Sequence, residues 1–189
     1  MKENITGSLL WENAMRSGLI LGGISVAYEL LSLLPGLTGG FLGALLGGML
    51  FLVRIGKIVL IILLFKRMML ALADAYDGVT RREARIFGFE TTLLSSLVVA
   101  AFCLVSMIYL TPGFAASAGE AMQESIDSVE NIQNAPEIRQ QLEAQAAWLV
   151  RNFNVLTFVG TFLYCALWGF ILTLIHSSRL EAQTPFDNR

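Results

Sequence analysis

The chain has 189 residues, of which 55% are hydrophobic, with a formal net charge of -2 and a mean hydropathy of +0.64. It is too apolar for a soluble domain, and no polar stretch is long enough to fold as a second one. A single membrane domain over residues 1–189 is expected, with membrane lipids rather than nucleic acid as its surroundings.

Four long apolar segments organise the sequence, at residues 16–35, 41–66, 86–111 and 153–176, each near the ~20 residues that an α-helix needs to cross a bilayer. The expected fold is therefore an all-α integral membrane protein with four transmembrane helices. Its charges are segregated. Lys66, Arg67, Arg81, Arg82 and Arg85 lie between the second and third segments, whereas Glu120, Glu124, Asp127, Glu130, Glu137 and Glu143 lie between the third and fourth. Lys and Arg accumulate in short cytoplasmic loops, so the basic connection is assigned to the cytoplasm, the acidic one to the outside, and both termini to the cytoplasm. A bacterial inner membrane is the expected location.

The segment Thr6 to Met15 carries Leu9, Leu10 and Trp11 beside Glu12 and Arg16, which predicts an interfacial helix leading into the first span, with Trp11 at headgroup level. The first span is too long for a signal-peptide core and is retained as a helix that ends at Leu34-Pro35-Gly36. The second span carries Gly39, Gly43 and Gly47 at intervals of four, a ridge that lets another helix approach closely in lipid. Gly18 and Gly22 repeat that spacing in the first span. The ridge is read either as packing against the first span or as a homodimer seam.

Beyond Arg67 the apolar pattern continues to Ala73 and is broken by Asp74-Ala-Tyr-Asp-Gly78. Thr80-Arg-Arg-Glu83 follows as a capping box that opens the third helix. Thr91, Thr92, Ser95 and Ser96 give that helix a polar inner half that must face protein or water, and Thr111-Pro112-Gly113 stops it. Residues 114–151 form an amphipathic insert. Met122, Ile126, Val129 and Ile132 recur at helical spacing, Asn134 and Pro136 restart a helix, and Ile138, Leu142, Ala146 and Leu149 line a second face. An external helical hairpin is expected here, either a solvated cap or a docking surface. The fourth span bears a polar stripe of Thr157, Thr161, Tyr164 and Trp168. Cys103 and Cys165 are read as reduced packing residues.

Three ionisable residues fall inside the apolar spans: Glu29 in the first, and Arg54 with Lys57 in the second. Burying such charges costs several kcal/mol unless they are paired. Arg16 to Glu29 and Arg67 back to Arg54 each rise about 20 Å at 1.5 Å per residue, so Glu29 and Arg54 share a depth and are expected to pair, leaving Lys57 unmatched. The trio is either an ion pair that locks the hairpin, with long basic side chains reaching for the headgroups, or a cationic site for an anion or a lipid phosphate.

No HExxH, GxSxG, Walker loop or zinc-spaced cysteine pair occurs, so no catalytic residue, metal or cofactor is assigned and the chain is not expected to be an enzyme. Glu90 with His176 at the cytoplasmic face is the weakest candidate for chemistry. Taken together, the glycine-rich opening Arg-Ser-Gly-Leu-Ile-Leu-Gly (16–22), the basic end of the second span, and Tyr-Asp-Gly leading to Arg-Glu-Ala-Arg-Ile-Phe-Gly (76–88) resemble the DUF4199 family of small four-span inner-membrane proteins, mainly from Bacteroidota. The acidic insert before the last span completes the likeness. The resemblance implies no activity, cofactor or catalytic residue. It implies an accessory subunit, through the proximity of relatives to polyprenyl-phosphate glycosyltransferases. The expected function is accordingly a non-catalytic membrane subunit that binds a membrane-protein partner or a second copy of itself. The alternative is a small transporter or lipid-binding protein using Arg54 and Lys57.

Overall fold

The computed structural model describes residues 6–34, 40–76, 79–128 and 136–180. Six α-helices follow one another: α1 Gly7–Ser32, α2 Gly40–Ala75, α3 Arg81–Tyr109, α4 Phe114–Ser128, α5 Pro136–Arg151 and α6 Phe153–Leu180. There is no strand among the described residues. Four of the helices, α1, α2, α3 and α6, are long and apolar enough to cross a membrane. Pro35 and Gly36, expected to end the first span, and Gly39 lie outside the described residues.

All four long helices outrun the expected spans, α1 and α2 by the most. The interfacial segment is continuous with the first span in α1, which starts where Thr6 Oγ1 accepts a hydrogen bond from the Leu9 amide at 3.4 Å. One side of this opening is deeply buried, at Leu10 and Ala14, while Trp11 stays 47% exposed. The second correction concerns α2, which does not stop at residue 66 but runs on to Ala75. Lys66 and Arg67 are thus helical, and Arg81, Arg82 and Arg85 lie in the opening turns of α3, so the five basic residues flank a short connection rather than occupy a loop. The cause is packing. Phe65, Met69 and Leu72 bury against Leu10, Ala14, Leu21 and Phe87, and Asn13 Nδ2 donates to the Tyr76 hydroxyl at 3.2 Å. This apolar cluster rewards continued helix past the basic pair.

The capping box forms as its sequence requires. The Thr80 amide donates to Glu83 Oε2 at 2.7 Å and the Glu83 amide donates to Thr80 Oγ1 at 3.3 Å, so each side chain satisfies a donor that the first helical turn leaves open. At the other end of α3 the break falls on Thr111-Pro112-Gly113.

The chain divides into two compact units, residues 1–99 with 162–189, and residues 100–161. In the first, helices approach at glycine. Lipid supplies no hydrophobic drive between helices, so close van der Waals contact at small residues takes its place. A Cβ on Gly18 would lie 2.8 Å from both Leu94 Cβ and the Thr91 carbonyl oxygen, and one on Gly22 would lie 2.9 Å from Val98 Cβ. The first-span glycines therefore pack against α3. Of the glycine ridge of α2, Gly47 does not meet them and has open space where a side chain would be.

In the second unit α4 packs on α5 as a helical hairpin. Val150 fills the space above Gly119, 2.8 Å from where a Cβ would be, and Arg139 binds Asp127 at 2.6 Å and Glu143 at 2.8 Å. The Arg139 bond holds the Glu143 carboxyl below the usual carboxylate range, against the opposing effect of desolvation and with lesser help from the nearness of the Arg139 charge. No residue of either helix is fully buried, and Ile138, expected on the inner face, is 54% exposed. Val129, Glu130, Ile132 and Asn134 lie outside the described residues.

Candidate functional site

The intramembrane charges come together where α1 packs on α2. Lys57 Nζ lies 3.5 Å from Glu29 Oε1 and 4.1 Å from the centroid of the Tyr28 ring. The Tyr28 hydroxyl donates to the Leu50 carbonyl at 3.4 Å, tying the same turn of α1 to α2. Lys57 is the more buried partner, its side chain 17% exposed against 38% for Glu29. A carboxylate and a π face thus share one ammonium, an arrangement that lowers the cost of holding it among apolar neighbours.

This reverses the expected pairing. Glu29 meets Lys57, and Arg54 is the cation left over: it is exposed and has no carboxylate within 4.0 Å among the described residues. A count of rise along the axis leaves out the azimuth. Three positions turn a helix by about 300°, which sets Arg54 about 60° around α2 from Lys57, and it is Lys57 that faces α1.

Three glycines of α2 are open. Cβ atoms on Gly47, Gly48 or Gly56 would meet nothing within 4 Å, and Phe51, Leu52, Val59 and Leu63 around them are each at least half exposed. Gly43 belongs to the same helix. Gly39 is outside the described residues.

A second concentration of polar groups lies inside the first unit. Ser17, Ser25, Thr91, Thr92, Ser96, Thr173, His176 and Ser177 are all buried. Two satisfy themselves locally, Thr173 Oγ1 by donating to the Gly169 carbonyl at 2.8 Å and Ser177 Oγ by donating to the Leu174 carbonyl at 3.3 Å. His176 lies beside Phe65, ring centroids 6.1 Å apart, which also brings α2 against α6. The reciprocal contact here was not anticipated from the sequence. Thr92 sits over Gly169, and Thr173 sits over Gly88, 2.6 Å from where a Cβ would be. The signal was present as two matched Gly-x-x-x-Thr spacings, Gly88 to Thr92 and Gly169 to Thr173. By contrast the expected stripe on α6 points outward at Tyr164 and Trp168, which are more than half exposed and stack edge to face on each other. Glu90 stands about 200° around α3 from Gly88, the residue against α6.

No metal-binding group of His, Cys, Asp or Glu occurs among the described residues, and neither Cys103 nor Cys165 is in a disulfide. A pocket of about 220 Å³ opens in the second unit between Met107, Thr111, Pro112, Ala115 and Phe153. It is smaller than the ~300 Å³ at which ligand sites begin and has no charged lining.

A family model described as a protein of unknown function, DUF4199, matches residues 16–180. No curated protein and no solved structure matches the chain.

Proposed function

Since the chain belongs to the DUF4199 family over residues 16–180, we propose that it acts as a non-catalytic membrane subunit that binds another membrane protein through the outer face of α2. One observation carries this reading. The most apolar of the candidate spans is also one of the least buried, and Gly48 and Gly56, two turns apart, lie on an open side of it, about 180° and 100° around the helix from the Lys57 contact with α1. Small residues on one side of a helix let a second helix approach its backbone. The partner is a membrane-bound enzyme of lipid-linked sugar metabolism, the class that the family resemblance points to. Both termini and the basic residues at 66–85 face the cytoplasm of a bacterial inner membrane, and the α4–α5 hairpin stands outside as an acidic cap. Co-purification from native membranes tests the assignment. The native chain brings down a membrane protein that Gly48→Leu or Gly56→Leu loses, whereas recovery of the native chain alone, as a monomer, overturns it.

A second reading, a lipid-binding protein or small transporter, is favoured by Arg54. A guanidinium exposed midway along an apolar helix, with its neighbouring cation already neutralised by Glu29, has the charge to hold an anion there.

A further inference from the structure

We propose that Arg54 and Gly47 form a site for the phosphate of a phospholipid, in the leaflet that the Gly40 end of α2 enters. The inference deepens the lipid-binding reading and rests on it. It starts from charge. Lys57 is matched by Glu29 at 3.5 Å and by the Tyr28 ring at 4.1 Å, while Arg54 has no carboxylate within 4.0 Å among the described residues and is exposed. The cluster is therefore one positive charge in excess, and the excess resides on the side chain best shaped for two parallel hydrogen bonds to a phosphate.

Position along the helix selects the ligand. With Lys66 and Arg67 at one headgroup boundary, Arg54 stands about 20 Å above it, and a hydrocarbon thickness of about 30 Å puts the opposite boundary some seven residues further on, at Gly47. Side chains of a helix lean toward its N-terminus, so Arg54 reaches from below toward the level of Gly47. The two residues are seven positions apart and share a face to within about 20°. At that level the face is bare, since nothing lies within 4 Å of where a Gly47 Cβ would be. A headgroup phosphate can settle against the backbone there and meet the guanidinium without either leaving its preferred depth. Phe51, 63% exposed beside this path, offers apolar surface to the acyl chains.

The test uses the full chain purified in detergent micelles doped with phosphatidylglycerol or with diacylglycerol, which lacks the phosphate, with retained lipid read by native mass spectrometry. Native protein retains phosphatidylglycerol in preference to diacylglycerol. Arg54→Gln lowers that retention about tenfold, the loss expected for a charge-assisted hydrogen-bonded contact, and Arg54→Lys restores part of it. Gly47→Leu, which fills open space and leaves helicity unchanged by circular dichroism, also lowers retention, whereas Gly48→Leu on the neighbouring face does not. Phosphatidylglycerol retention unchanged in both Arg54→Gln and Gly47→Leu overturns the site while leaving the lipid-binding reading standing. A native protein that shows no preference for the phosphate-bearing lipid overturns both. Displacement of the lipid by millimolar inorganic phosphate overturns the lipid assignment in favour of a free-anion site.

Discussion

Glycine does opposite things on two sides of the first unit. At Gly18, Gly22, Gly88 and Gly169 a neighbouring helix lies so close that a Cβ would collide with it; at Gly47, Gly48 and Gly56 there is nothing to collide with. The residue type is shared, so it does not decide whether a glycine is a contact. What decides is the reciprocal partner. Gly88 and Gly169 each receive a threonine from the facing helix, and the two helices close like paired notches. The glycines of α2 have no such counterpart among the described residues, and the helix presents them outward.

Substitution at these glycines breaks or confirms the contrast, and the largest effect is expected at the notches. Gly169→Leu drives a side chain into Thr92 and should cost about 3 kcal/mol, the upper part of the overpacking range. Gly18→Leu, against the Thr91 carbonyl and Leu94, should follow closely. Chemical unfolding of the purified variants in mixed micelles measures both, and an unchanged midpoint for Gly169→Leu would remove the notch from the account. Next in size is Lys57→Met, which strands Glu29 at the α1–α2 contact. Because Glu29 is 38% exposed, the loss should be only about 1 kcal/mol, and the double variant Lys57→Met with Glu29→Gln should recover most of it.

A smaller, pH-dependent effect belongs to the second unit. The folded pKa of Glu143 is depressed, chiefly by its bond from Arg139, so its stabilising contribution is in full force above the ordinary carboxylate pKa of about 4.3 and disappears as pH falls through the depressed value. Trp148 on α5, in a chain with Trp11 and Trp168 changed to Phe, should report loosening of the hairpin over that acid window, and Glu143→Gln should flatten the response. The smallest effect is expected on the open side. Gly48→Ala meets no neighbour and should move stability by less than about 1 kcal/mol, upward if at all, since Ala is the better helix former. A clear loss there would mean that α2 is covered after all.

The legible features of the fold are those set by local chemistry. The four apolar helices, the capping box at Thr80 and Glu83, the stop at Thr111-Pro112-Gly113 and the paired helices of the insert all follow from periodicity or a fixed hydrogen-bond pattern, and each is present. Rotation about a helix axis is not local. Rise alone pairs Glu29 with Arg54, yet the face of α2 turned toward α1 is chosen by Phe65, Met69 and Leu72 meeting Leu10 and Phe87 many residues away, and that choice delivers Lys57. The same holds for the glycines, where spacing announces a possible contact and only the facing helix makes it. The end of α2 was misplaced for a related reason: Lys66 and Arg67 look like a boundary, but the cluster beyond them keeps the helix intact.

That extension gives α2 an unusual consequence. Its 36 residues rise about 54 Å, and even a tilt of 40° leaves more than the ~30 Å of hydrocarbon to be accommodated, so part of the helix stands in water. With Arg67 at the boundary, Met69 and Leu72 belong to that part, closed over by Leu10, Ala14 and Phe87. The bundle is thus governed by two solvents. In lipid it holds by close packing and by the Lys57–Glu29 contact, where a denaturant such as urea has little purchase; past the basic pair it holds because water rejects apolar surface, where urea acts directly and cooling weakens the grip. The connection between α2 and α3 is anchored in the second of these, which makes the water-facing clasp the end from which the molecule would open.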